Sequence, residues 1–235
     1  MPKVIWLVKF IILGALATHS LAKATSQEIT LPQTITYFYT NQPPFEFVSK
    51  DGVASGIAVE KAQHLFANTS YSLAFAFDSL NRGIDNLHAG RYDISTAVSP
   101  TKALHKTFYI SNKPLYFINL SAIRKHDTTP VTQIEQISTV AYAALSENTF
   151  AFIERYLQAQ HPLSKRYDVK TFSQGVRLVE LNKLPYFLTY LTDQQTDYGD
   201  ALTTDLLMQL PVHIIVSKHH PHASEIIEII NIHLE

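Results

Sequence analysis

Apolar and polar positions along this chain switch between a period of two and a period near 3.6. Residues 35–39, Ile-Thr-Tyr-Phe-Tyr, are β-branched and aromatic, the composition of a buried strand. Asn41-Gln42-Pro43-Pro44 stops it, because proline has no N–H for a ladder. Residues 45–48 resume as a short strand before the Asp51-Gly52 turn. From Ile57 the apolar positions Ile57, Val59, Ala62, Leu65 and Phe66 follow a helix face. Residues 71–77 read as a strand. Leu80, Ile84 and Leu87 mark a helix, closed where Gly90 supplies a left-handed residue, and 92–98 is the next strand. Residues 115–124 form a long strand-like run before the polar stretch 125–132. Beyond it, strands are predicted at 139–144, 167–171, 186–191 and 212–218. Helices are predicted at 147–158, 174–181 and 224–234, the last capped by Ser224 or the preceding turn. Strands alternating with helices throughout argue for α/β layers.

The first two dozen residues stand apart. Lys3 makes a short basic start, 4–17 is apolar except for Lys9, and Ser20-Leu21-Ala22 or Ala22-Lys23-Ala24 offers a small-x-small cleavage site. This is the pattern of a secretory signal peptide, so residues 1–24 are set outside the fold. As a membrane span the run is short against the roughly 20 residues required, and Lys9 interrupts it. The sequence has no cysteine. An exported domain must then stand on its core without disulfides, and no lipid-anchor cysteine is available. The expected location is the periplasm. A formal net charge of -1 argues against a nucleic-acid partner, which selects a basic face.

Several fragments share an order. Pro44-Phe45 follows the first strand, Asp51-Gly52 turns, and Gly56-Ile57 with Val59-Glu60 opens a helix. Leu80-Asn81-Arg82 leads to Leu87-His88-Ala89-Gly90-Arg91-Tyr92-Asp93. Near the end stand the strand Val212-His213-Ile214-Ile215-Val216-Ser217-Lys218, then His220-Pro221 and Asn231-x-x-Leu234. In this order and spacing the chain resembles the periplasmic solute-binding proteins of family 3. The resemblance implies a type II periplasmic-binding fold: two α/β lobes, each a mostly parallel sheet flanked by helices, joined by hinge strands. Lobe one is expected over 25–119 plus 217–235 and lobe two over 120–216. The family pattern also continues past Leu234 into a further helix.

Amino-acid binders of the family place an arginine after the Ser/Thr-rich strand, where its guanidinium forks onto the ligand's carboxylate. Here that segment is Thr101-Lys102-Ala103-Leu104, with leucine at the arginine position. Lys102 or His105 is no equivalent fork. The strand that carries the acid for the ligand's ammonium matches Lys183-Leu184-Pro185-Tyr186-Phe187-Leu188, with phenylalanine at the acid position. The glycine-threonine loop of the second lobe becomes Ala144-Leu145-Ser146-Glu147, where Ser146 keeps a hydroxyl. A standard α-amino acid is therefore not the expected ligand, since a buried carboxylate without a partner is costly. The candidate ligand-binding residues are Gln42, Phe45, Leu80, Arg82, Thr96, Ser99, Thr101 and Ser146. Asp93 is read as fixing a turn, and Gly90 as structural.

Other constellations carry less. In His219-His220-Pro221-His222 the proline breaks metal-ligand spacing on a helix, and a solvated turn is the expectation. Asp193, Asp197, Asp200 and Asp205 form an acidic stretch with Gly199 that lacks the spacing of a calcium loop, and a solvated loop is the expectation. No cofactor, metal site or catalytic residue is expected. The function read from the resemblance is capture of a small polar or partly aromatic solute by a monomer, for an ABC transporter permease or a sensor kinase. Two alternatives stand beside it. One is an enzyme on the same fold resembling the cyclohexadienyl dehydratases, which needs a cleft carboxylate beside an anion-binding arginine. The other is a stand-alone sensory domain with an exposed apolar patch for its partner.

Overall fold

The computed structural model describes residues 33–98, 102–146, 165–192, 198 and 201–234. The expected signal peptide and the helix expected at 147–158 lie outside these residues. In chain order the strands are β1 (Gln33–Tyr39), β2 (Phe47–Val48), β3 (Ala54–Ser55), β4 (Tyr71–Phe77), β5 (Ile94–Val98) and β6 (Phe108–Ile110). They continue as β7 (Tyr116–Lys125), β8 (Tyr142–Leu145), β9 (Arg166–Val169), β10 (Tyr186–Leu191) and β11 (Leu202–Ser217). The helices are α1 (Ile57–Phe66), α2 (Leu80–His88), α3 (Leu104–Thr107), α4 (Phe172–Glu180) and α5 (Ala223–His233), with a 3-10 turn at Ile134–Thr139.

Nine of the described strands form one sheet in the order β4-β1-β5-β11-β7-β10-β8-β9, with β6 paired to β11. Its two flanks are parallel: β4-β1-β5 on one side and β10-β8-β9 on the other. The centre is antiparallel, where β11 pairs β5, β6 and β7, and β7 pairs β10. Parallel neighbours require crossover helices that cover the sheet. On the first flank α1 and α5 bury Ala62, Leu65, Phe66, Ile226 and Ile230 against Ile35, Tyr37, Ile94 and Ile214. The opposite face is closed by Leu87 of α2 with Phe108 and Ile215. On the second flank Val179 of α4 packs with Ile123, Val169, Phe187 and Leu202. Full burial of each such side chain contributes about 1.5–3 kcal/mol.

Two helices come very close to the sheet, and glycine permits it. Gly83 of α2 lies over the Phe38 ring, and a Cβ on Gly175 of α4 would meet the Phe187 ring at 2.5 Å. Boundaries differ from the sequence reading for local reasons. β5 starts at Ile94 because Asp93 is occupied: its carboxylate accepts the Thr36 N–H at 2.7 Å and its own N–H donates to the Thr36 carbonyl at 3.0 Å. α4 starts two residues before the expected Gln174, since Thr171 is the N-cap and accepts the Gln174 N–H at 3.2 Å. α5 begins at Ala223, so His222 and not Ser224 is its cap. β11 is much longer than 212–218; its register against β7 shifts between Leu206 and Met208, which breaks the alternation a strand shows in sequence. β3, β6 and α3 were not anticipated.

Candidate functional site

The carboxyl ends of β1, β8, β9 and β10 open on a cavity of about 460 Å³, a size that suits a small molecule. One wall is the loop after β1, with Asn41, Gln42, Pro43, Pro44 and Phe45. It is firmly built. Gln42 and Glu46 form an isolated antiparallel bridge, with the Gln42 N–H on the Glu46 carbonyl at 2.6 Å. The Ile57 and Ala58 N–H groups at the start of α1 donate to the carbonyls of Pro44 and Phe45 at 3.2 and 2.8 Å. Helix-start donors that would otherwise lack partners thus hold the loop. Gly56 makes the approach possible: its φ is 113°, and a Cβ there would sit 2.5 Å from the Phe45 oxygen. The Phe45 ring stacks on Tyr116 of β7, with centroids 6.0 Å apart.

Beneath this wall lies a buried carboxylate. Glu46 accepts the Thr40 N–H at 2.9 Å, the Thr40 hydroxyl at 2.7 Å and the Tyr37 hydroxyl at 3.4 Å. Burial pushes its pKa up, and these hydrogen bonds pull part of the way back. Burial and then the Glu46 charge push the Tyr37 and Tyr116 hydroxyls up as well.

The opposite wall is Leu145 and Ser146 after β8, Lys170, Thr171 and Phe172 between β9 and α4, and Thr189 and Tyr190 of β10. The parallel register sets Leu145 beside Val169, and the Ser146 N–H donates to the Val169 carbonyl at 2.9 Å. The cavity thus presents amides, hydroxyls and aromatic faces. Lys170 is the one charged side chain among its described lining residues, and no carboxylate or guanidinium is among them. This arrangement can desolvate and orient a small molecule; it offers no acid–base pair.

Of the candidate residues, Gln42, Phe45 and Ser146 line this cavity. Leu80 opens α2, and Arg82 on the same helix has a side chain 72% exposed and paired with Asp78. The Thr96 hydroxyl bonds Tyr37 beneath the wall. None of these three is in the described lining. Ser99 and Thr101 lie outside the described residues. Leu104, at the expected arginine position, packs with Leu87, Phe108 and Ile215 in the sheet's first flank. Phe187, at the expected acid position, is fully buried under α4, so the β10 residues that reach the cavity are its later ones, Thr189 and Tyr190.

The residues sequence reading missed had signals. Thr171-x-x-Gln174 is a helix-start pattern, and sites of doubly wound sheets lie beyond the carboxyl ends of strands. Together these point to 170–172 and 189–190. The loop around Pro43 was signalled by its prolines and by the resemblance, which put Gln42 and Phe45 among the candidates.

The sequence model for bacterial extracellular solute-binding proteins, family 3, matches residues 35–231. Among curated proteins, none matches the chain in sequence. Among solved structures, a chain from work on glutathione import in Gram-positive bacteria via GshT and the cystine ABC importer TcyBC of Streptococcus mutans superposes with a TM-score of 0.70. The identity is 18%, over 86% of this chain and 87% of that one. The ancestral amino acid-binding protein AncCDT-1, a precursor of cyclohexadienyl dehydratase, gives 0.66 at 18% identity, over 86% and 87%. An arginine-bound ArgBP mutant from T. maritima gives 0.65 at 16% identity, over 86% and 94%. These likenesses establish the fold, a type II periplasmic-binding α/β architecture.

Proposed function

The chain belongs to family 3 of the bacterial extracellular solute-binding proteins, and from that membership we propose that it captures a small polar or partly aromatic solute other than a standard α-amino acid. The solute sits between the Asn41–Phe45 wall and the wall made by Ser146, Lys170 and Tyr190. Capture occurs in the periplasm after removal of residues 1–24, by a monomer that hands its solute to an ABC permease or reports it to a sensor. Lobe one is 25–119 plus 217–235, and lobe two is 120–216. No helix among the described residues is long and apolar enough to cross a membrane.

One observation carries the reading: the described lining holds aromatic faces and hydroxyls but neither a guanidinium nor a carboxylate. An α-amino acid brings two opposite charges; Lys170 faces the cavity as a partner for its carboxylate, but its ammonium would be buried with no carboxylate in the described lining, which is costly. The same lining supports binding without turnover, because the dehydratase alternative calls for a cleft carboxylate and none is in the described lining. A thermal-shift screen with amino acids, polyamines, sugars and aromatic acids tests the proposal. The expected result is a rise with a non-amino-acid solute, about 2.7 kcal/mol of stabilisation at a hundredfold excess over Kd. A strong rise with ordinary amino acids would overturn it, and turnover of prephenate or arogenate would overturn the absence of catalysis.

A further inference from the structure

We infer that Glu46 is the positioning residue of the first cavity wall: as a neutral acid it holds the Asn41–Phe45 loop in the shape that meets a solute, and on ionising it loosens that loop. This deepens, and rests on, the binding function proposed above. Glu46 ties the loop through its side chain and its backbone. Its Oε1 accepts the Thr40 N–H at 2.9 Å and the Thr40 hydroxyl at 2.7 Å, where β1 gives way to the loop. Its own N–H donates to the Gln42 carbonyl at 3.1 Å, and its carbonyl accepts the Gln42 N–H at 2.6 Å. Gln42 and Phe45, inside the segment so tied, line the cavity.

The surroundings of the side chain are those of a neutral acid. Glu46 is almost fully buried, and no cation pairs with it among the described residues. The ionisable groups that face it are Tyr37 and Tyr39 of β1 and Tyr116 of β7, with the Thr40 hydroxyl beside them. A carboxylate buried without a cation is costly. A carboxylate also draws a hydroxyl donor to about 2.5–2.7 Å, yet the Tyr37 oxygen stands 3.4 Å from Oε2. Oε1 already takes both Thr40 donors, so the proton belongs on Oε2 and is donated to the Tyr37 oxygen, which bonds Thr96 of β5 beneath. Ionisation removes that donor and leaves a buried charge for which water is the remaining partner, so the 41–45 segment above it gives way. The three tyrosines do not titrate over the same range, because burial and then the Glu46 charge push their hydroxyls up.

The test compares the full chain with Glu46→Gln, Glu46→Ala and Thr40→Val, by amide hydrogen exchange and by calorimetric titration with phenylacetamide, which carries no charge of its own. Both are run from about pH 5 to about pH 8, above the free-glutamate value of about 4.3. Slow exchange in β10 reports that a variant is folded. In the parent, protection of the 40–46 amides, corrected for intrinsic rates, and affinity for phenylacetamide should each fall by about tenfold as the pH rises. Glu46→Gln keeps an acceptor and a donor without the charge, so both readouts should stay flat at the parent's low-pH level. Glu46→Ala should lose about tenfold in both at every pH, with Thr40→Val between it and the parent. A flat parent profile, or a fall that persists in Glu46→Gln, overturns the control by protonation. Parent-like protection and affinity in Glu46→Ala, or in Thr40→Val should Glu46→Ala not fold, overturns the positioning role while leaving a solute-binding cleft in place. The exchange comparison decides on Glu46 whether or not phenylacetamide binds; silence from phenylacetamide and from every solute of the thermal-shift screen removes the binding function itself.

Discussion

Glu46 and Asp78 are both almost fully buried carboxylates, with 7% and 3% of their surface exposed, yet their environments drive them in opposite directions. Asp78 is desolvated, but hydrogen bonds from Arg82, the Ser79 N–H and the Tyr92 hydroxyl more than offset that and hold it below the usual carboxylate range. Its stabilisation is present above the unfolded pKa of about 3.9 and is lost as the pH falls through the lower folded value. Glu46 is raised by burial, with three hydrogen bonds from Thr40 and Tyr37 only partly compensating. Its contribution is therefore full below the unfolded pKa of about 4.3 and declines as the pH rises through the folded value. Glu46→Gln keeps an acceptor for Thr40 and offers an N–H to the Tyr37 oxygen, without a charge to bury. The expected outcome is a melting temperature above the parent's at neutral pH, with the gap closing below a pH of about 4. Thermal melts across pH check it. A variant less stable than the parent at neutral pH would show that Glu46 is ionised there and better solvated than its described partners allow.

Among elements, β7 and β11 carry the connection between the two parallel flanks, and one buried ion pair fastens them. Arg124 of β7 meets Asp205 of β11 through two N–H groups, at 2.6 and 2.9 Å, and also donates to the Lys125 and Thr128 carbonyls at 3.0 Å each. Asp205 further accepts the Val131 N–H at 2.7 Å. Asp205→Asn leaves the guanidinium buried without its charge partner and should cost about 3 kcal/mol. For a chain of this size that is a fall of roughly 10 °C in Tm. The paired change Arg124→Met with Asp205→Leu should recover most of the loss, since apolar replacement of a whole buried pair is often neutral. A single variant as stable as the parent would mean the pair only offsets its own desolvation. Sequence reading took Asp205 for part of a solvated acidic stretch, and the reason it failed is instructive. Partners 81 residues apart leave no local trace, and the bulge near Leu207 hides the strand that carries one of them. β1, β4 and β10 were legible as runs of β-branched, aromatic and aliphatic residues, and α1 from its unbroken helix face. In the cavity wall, the loop around Phe45 was legible from its prolines and from resemblance. Thr189 was not, because a hydroxyl inside the run Tyr-Phe-Leu-Thr-Tyr-Leu reads as one more strand residue until the helix above it is placed.

At the scale of the whole molecule, closure on a solute is a mechanical claim about those same two strands. The flanks have separate cores, with Tyr37, Ile94 and Ile226 in one and Val179, Phe187 and Leu202 in the other. A central cluster containing Ile118, Leu120, Leu210 and Val212 on β7 and β11 lies between them and includes Phe45 from the cavity wall. Packed cores resist deformation, so motion concentrates where few strands connect rigid bodies. The register shift between Leu206 and Met208 is a local irregularity in one of those strands. A solute touching both walls favours the closed arrangement only by its differential contacts with the two states. The expected outcome is a fall in the radius of gyration by solution X-ray scattering when a solute that raises Tm is added, with no fall for one that leaves Tm unchanged. A solute that raises Tm with no compaction would place the molecule in its closed form before binding, and hinge closure would then be no part of capture.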